Sequence, residues 1–247
     1  MKNYLKIILI LLLAQTSAGQ NFKIGLNTGY GTYKMEDLKQ FQSDAAEYYS
    51  MLNVEEVQQF PGYFNYSASV EYSLSRSNLI GINAGYYTTG GRNHVADYSG
   101  EYYMNIPIHA YSLGLQYRNV FMTFNKFDLY AQIKGGILFS ALSINESFAI
   151  HKFDSISSSY TMVNNSYFCE PSAGVFYSLG KSFSANFSLG YQFDFKDKLH
   201  YKDNKDQVLT NDDDEPVYSD WSGFRIVLGL SYDIFKIKAK VNHDGTL

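Results

Sequence analysis

The chain has 247 residues, 18% of them charged, with 23 Tyr, 18 Phe and a formal net charge of −4. So low a charge density makes a poor soluble surface, and a weakly acidic chain with no basic stripe excludes a nucleic-acid binder. The one cysteine, Cys169, excludes an internal disulfide framework and a cysteine-built zinc cluster.

At the N-terminus, Lys2 and Lys6 lead into an apolar run over residues 7–14, and small Ser17, Ala18 and Gly19 come next. This order is that of a secretory signal peptide, assigned to residues 1–19. The run is far shorter than the roughly 20 apolar residues a membrane-spanning helix needs. No long apolar run occurs in residues 20–247, so an exported chain without a membrane helix is expected.

Period two dominates residues 22–234, as in strands whose successive side chains face opposite ways. Phe22, Ile24, Leu26, Thr28 and Tyr30 alternate with Lys23, Gly25, Asn27 and Gly29. Phe64, Tyr66, Ala68, Val70, Tyr72 and Leu74 alternate with Asn65, Ser67, Ser69, Glu71 and Ser73. A third strand carries Ile80, Ile82, Ala84 and Tyr86. In the fourth, over residues 103–117, the phase slips: Ile106, Ile108 and Ala110 share one parity, and Tyr111, Leu113, Leu115 and Tyr117 the other. A bulge near residues 110–112 would reconcile them. Residues 129–141 and 167–177 supply the fifth and sixth strands, although Pro107 and Pro171 each remove a ladder hydrogen bond. In the seventh, Phe183, Ala185, Phe187, Leu189, Tyr191, Phe193 and Phe195 oppose Ser184, Asn186, Ser188, Gly190, Gln192 and Asp194; the eighth spans residues 224–234.

Tight turns at 75–78 and 179–182, with a longer one at 119–126, alternate with long loops at about 34–61, 90–101, 147–164 and 196–219. Short periplasmic turns and long extracellular loops mark outer-membrane barrels. The expected fold is therefore all-β, an eight-stranded antiparallel up-and-down transmembrane β-barrel in a bacterial outer membrane. A periplasmic, lipocalin-like ligand-binding barrel shows the same alternation, but its exterior needs charge, whereas this polar face is mostly Ser, Asn, Gly and Gln. Such side chains suit the narrow lumen of eight strands. Parity sends Lys23, Glu71, Lys134, Glu170, Asp194, Arg225 and Asp233 inward. Buried charges persist when paired, so these predict a salt-bridged plug rather than a channel.

The segment Gln20-Asn21-Phe22, the glycine-rich Ile24-Gly25-Leu26-Asn27-Thr28-Gly29-Tyr30, Asn105-Ile106-Pro107-Ile108 and Gly229-Leu230-Ser231-Tyr232-Asp233-Ile234 carry a resemblance. The chain resembles the Bacteroidota-type outer-membrane β-barrel domain family, often labelled PorT-like, among small barrels of the OmpA–OmpX kind. The resemblance covers nearly all of the mature chain. It implies a small barrel of a family mostly without assigned function, some members of which are tied to secretion or surface display. The chain departs from such barrels by running past the final aromatic, Phe235, into a tail over residues 236–247.

Candidate chemistry is sparse. Among the histidines only His109 falls in a strand, near Ser112, and an interior or interface histidine is the expected role rather than catalysis. In the first long loop Met35, Leu38, Phe41, Ala45 and Tyr48 have helical spacing, with Ser43 or Asp44 placed to cap a second short helix. That stripe is expected to fold over the barrel mouth. Asp212, Asp213, Asp214 and Glu215 make an acidic loop that oxygen-seeking cations favour, but their spacing fits no EF-hand, so no metal or cofactor is expected. Cys169 falls on the lipid face by parity. The expected function is structural or surface interaction through the extracellular loops, with outer-membrane lipid and a loop-bound protein as partners; a rim enzyme acting on lipid or peptide is the alternative.

Overall fold

The computed structural model describes residues 22–48, 54–96, 98, 100–150 and 155–234. The expected signal peptide and the tail 236–247 lie outside the described residues. Strand β1 (Phe22–Gly31) precedes helix α1 (Glu36–Tyr48) and the short strand β2 (Glu55–Gln59). Next come β3 (Tyr63–Ser73), β4 (Asn78–Ala96), β5 (Gly100–Phe124), β6 (Phe127–Ile150), β7 (Ser155–Ser178), β8 (Phe183–Phe195), β9 (His200–Tyr201) and β10 (Gly223–Asp233). Strands β1, β3 to β8 and β10 pair antiparallel in turn, and the β1–β10 pairing closes the ring. A closed ring is one of two ways a backbone can cross hydrocarbon with its polar groups satisfied.

The apolar face points outward. Leu26, Leu115 and Leu228 are 65%, 64% and 57% exposed, which only acyl chains make tolerable, so the soluble-barrel alternative falls. Exposed aromatic side chains stand toward both ends of the belt, Tyr30, Phe64, Tyr111, Phe139 and Phe224 toward the end with the long connections and Phe124, Phe127, Phe183 and Tyr232 toward the end with the tight turns. Such girdles sit at the two membrane interfaces. This is a barrel of the bacterial outer membrane.

Strands β4 to β7 run on past the upper aromatic level, and there the pattern inverts. Along β5 the even positions face inward throughout: Arg118, Gln116 and Ser112 first, then Ala110, Ile108, Ile106, Met104 and Tyr102, all buried. Register with β4 and β6 is unbroken at residues 110–112, so the expected bulge is absent; the irregularity falls at Val120/Met122. The slip in the sequence marks the level where lipid gives way to water outside. Beyond it, β5 turns its apolar side chains to the inner face. Pro107 and Pro171 remain within their strands, each missing register partners on one side only.

Two expected long loops, 90–101 and 147–164, are instead the tips of the extended hairpins β4–β5 and β6–β7. The expected 119–126 turn contracts to Asn125 and Lys126, with Asn125 at φ 54, because β5 continues to Phe124. Two long connections remain, residues 32–62 and 196–222. Both fold onto the inner face of the extensions, placing Met35, Leu38, Phe60, Leu199, Leu209 and Trp221 in one core with Tyr102, Ile106, Leu138, Leu142 and Met162. This core and the hairpin tips form an extracellular head above the belt.

Helix α1 opens on Glu36 and Asp37, which suit the positive end of its dipole. It buries Leu38 and Gln42 and rests Phe41 and Ala45 on the core, so the stripe covers the mouth as expected, although Tyr48 is 78% exposed. No second helix starts at Ser43 or Asp44. Ser43 Oγ instead donates to Glu56 Oε1 at 2.6 Å, and Asp44 accepts from Gln40 Nε2 at 2.6 Å. Gln42, on the buried side, donates to Asn93 Oδ1 at 2.7 Å and accepts the Asn93 amide on its backbone carbonyl at 2.9 Å, locking α1 to β4.

Candidate functional site

Inside the belt, all seven inward charges read from the sequence are present, and Arg118 joins them. At the periplasmic end Lys23 Nζ lies 3.7 Å from Asp233 and 4.3 Å from the Phe176 ring centre. Next, Arg118 Nη1 donates to Glu71 Oε2 at 2.7 Å, while its Nε and Nη2 donate to Gln132 Oε1 at 3.0 and 2.7 Å. Gln116 Nε2 donates to the other Glu71 oxygen at 2.7 Å, and the guanidinium lies 4.6 Å from both the Tyr130 and Phe176 rings. Lys134 Nζ donates to Glu170 Oε1 at 2.8 Å.

At the top of the lumen Arg225 donates from Nη1 to Thr32 O at 2.7 Å and from Nη2 to Trp221 O at 2.6 Å, beside the Tyr33 and Tyr87 rings. Asp194 accepts from Ser166 Oγ at 2.5 Å and from the Trp221 N–H at 3.0 Å. Inward-facing glycines make room for these long side chains. A Cβ at Gly81 would meet Val70 O and the Glu71 backbone, and one at Gly31 would meet the Arg225 guanidinium. The space left among Asn27, Asn83, Gln116, Gln132, Lys134 and Asn186 is about 20 Å³, room for about one water. The lumen is closed twice, by this network and by the apolar core above it.

The head is the second candidate. Between α1, the tips of β5 to β7 and the 201–212 turn lies a half-open cavity of about 330 Å³. Met104, Ile144, Met162 and Leu209 form its floor; Asp44, Glu146, Asp212, Tyr48, Tyr160 and Tyr201 stand around it. Lys196 Nζ donates to Asp37 Oδ2 at 2.9 Å and ties α1 to the 196–222 segment. Burial pulls the Lys196 ammonium down, but its bond to Asp37 and the charges of Asp37, Asp220 and Glu36 outweigh this and leave its pKa raised. Burial pushes the Tyr33 hydroxyl up to about 12. A larger groove of about 650 Å³, along Ile24, Leu26, Phe183, Leu228, Leu230 and Tyr232, opens onto the hydrocarbon belt and holds no convergent polar group.

Other expected residues do not converge. His109 faces outward at the interface, 6.3 and 5.9 Å from the Tyr86 and Tyr111 ring centres, whereas Ser112 is buried on the inner face. Asp212 to Glu215 lie along one exposed turn, with Asp214 at φ 60 and Asn211 Oδ1 accepting the N–H groups of Asp213 and Glu215. No three His, Cys, Asp or Glu side chains gather into a metal-holding group among the described residues. Cys169 is free and on the outward parity of β7. The sequence reading missed Arg118 because it lies one residue beyond the span 103–117; continuing the parity of Ser112 and Gln116 finds it. Gln42 and β2 carried no sequence signal.

No family model matches the chain, and no curated protein matches it. Solved structures similar to it include Neisserial surface protein A at 10% identity, covering 85% of this chain and 96% of that one with a TM-score of 0.41. The outer membrane protein OprG of Pseudomonas aeruginosa matches at 15% identity, 88% and 97% coverage and a TM-score of 0.43. A major outer membrane protein of Thermus thermophilus matches at 12% identity, 86% and 99% coverage and a TM-score of 0.48.

Proposed function

We propose that this outer-membrane barrel is a closed surface-recognition protein, which binds through its extracellular head and neither conducts solutes nor catalyses a reaction. The observation that supports this most is the double seal beneath an open pocket: paired charges fill the lumen, an apolar core fills the mouth, and the 330 Å³ cavity above opens outward. His109 and Ser112 on opposite faces of β5 weigh against a histidine-activated serine there. Outer-membrane lipid is the partner of the belt, and a protein or small molecule that of the head. The motifs in β1 and β10 support a place among the Bacteroidota PorT-like barrels.

Reconstitution in a planar bilayer tests the reading. No steady open-channel conductance is expected, and liposomes carrying the protein should not swell in a small sugar. A stable conductance would refute closure and make transport the leading function.

A further inference from the structure

We propose that the head cavity takes an organic cation, an ammonium group carried on an apolar body; the proposal rests on the surface-recognition reading and names the ligand class of that site. The floor side chains Met104, Ile144, Met162 and Leu209 are 3%, 6%, 0% and 5% exposed, so the base is a built apolar surface held by three strands and the long 196–222 connection. A volume of about 330 Å³ is at the lower end of small-ligand sites. Thioether floors adapt to irregular apolar shapes, which favours a ligand body of variable form.

The walls select the charge. Asp44 comes from α1, Glu146 from β6 and Asp212 from the turn after Leu209, and no Lys, Arg or His is among the described lining residues. Tyr160 and Tyr201 stand edge to face with ring centres 6.4 Å apart, and tyrosine faces attract ammonium groups. An anion would be repelled by Asp44 and Asp212, and a neutral apolar molecule would cover the floor while making no use of the rim. An ammonium ion with an apolar tail uses both. Across the described head, acidic side chains outnumber lysines and arginines by about two to one, a field that draws cations in. The ammonium is carried either by a free amine or by a lysine of a polypeptide.

Isothermal titration of the full chain in nanodiscs tests this with four probes. They are phenylethylammonium, its uncharged isostere 3-phenylpropanol, and a short acetyl-Lys-Leu amide paired with its Nε-acetylated form. The ammonium probe is expected to bind about ten-fold more tightly than the isostere. The double variant Asp44→Asn/Asp212→Asn should remove that preference while keeping the band shift on boiling that reports a folded barrel. Ala45→Trp, which fills the cavity without changing charge, should abolish binding of every probe. Tighter binding of the lysine peptide assigns the ammonium to a polypeptide, and tighter binding of the amine assigns it to a free ligand. Equal affinity for charged and neutral probes, an unaffected double variant, or no binding in a closed, folded barrel would overturn the proposal. That last result leaves surface recognition standing, since recognition falls only with the closure experiment.

Discussion

Replacing Arg118 by Met keeps most of the apolar stem and removes a buried charge of the lumen network. Three donated hydrogen bonds disappear, one to Glu71 and two to Gln132, together with the stacking on Tyr130 and Phe176. Glu71, whose side chain is 2% exposed, is left with Gln116 as its donor, and the neighbouring void of about 20 Å³ offers room for about one water. Breaking a buried ion pair from one side costs about 3–5 kcal/mol, chiefly through the charge left behind. We therefore expect Arg118→Met to destabilise the barrel by about 4 kcal/mol. Adding Glu71→Gln removes the stranded charge and leaves an amide that still bonds Gln116, so the double variant should recover all but about 1 kcal/mol. Urea unfolding in bilayers, tracked by loss of the band that shifts on boiling, measures both. A single variant within about 1 kcal/mol of the parent, or a double variant no more stable than the single, would refute the network as the lock of the lumen.

Three further outcomes are expected from the geometry. Gly81→Val places its Cβ against Val70 O and the Glu71 backbone, so it should abolish the folded, heat-shifting band, whereas a normal band would show that β4 yields there. A bimane probe on Cys169 should be quenched by brominated acyl chains and spared by aqueous iodide, and the reverse pattern would put β7 out of register. The Tyr33 hydroxyl is held at about 12 against 10.0 in the unfolded chain, so its contribution is intact below pH 10 and drains away as the pH climbs toward 12. Two units amount to about 3 kcal/mol. Tyr33→Phe should remove that alkaline loss, and an alkaline unfolding profile identical to the parent's would count against it.

The belt was legible in the sequence because membrane and lumen impose opposite demands on adjacent residues, as Phe183 to Phe195 shows without a break. Inward charges were legible for the same reason, up to Arg118. The head was not, since the only mark of the level at which lipid ends is the phase slip at residues 110–111, which parity alone does not distinguish from a bulge. Ile106, Ile108 and Ala110 read as a defect when they are the start of a second interior. The 90–101 and 147–164 stretches, with polar residues such as Arg92 and Ser157 to Ser159, read as loops because the outer faces of their strands meet water. The pocket joins α1 to residues 201–212, far apart in the chain, and only the folded arrangement brings Asp44 near Met162.

Arg225 has a consequence for assembly. It sits on β10, the last strand, yet donates to Thr32 just past the first strand and to Trp221 at the centre of the head. One residue therefore ties the seam between β1 and β10 to the core above it, in addition to the strand register itself. A nascent barrel open at that seam lacks the Arg225 bond to Thr32 and the backbone bonds of residues 32, 34 and 35 to residues 224, 222 and 220, while the 196–222 segment keeps its bonds to β7. Ring closure is therefore also the step that fixes the entry into α1, because residues 32–35 gain their backbone partners only when β10 meets β1.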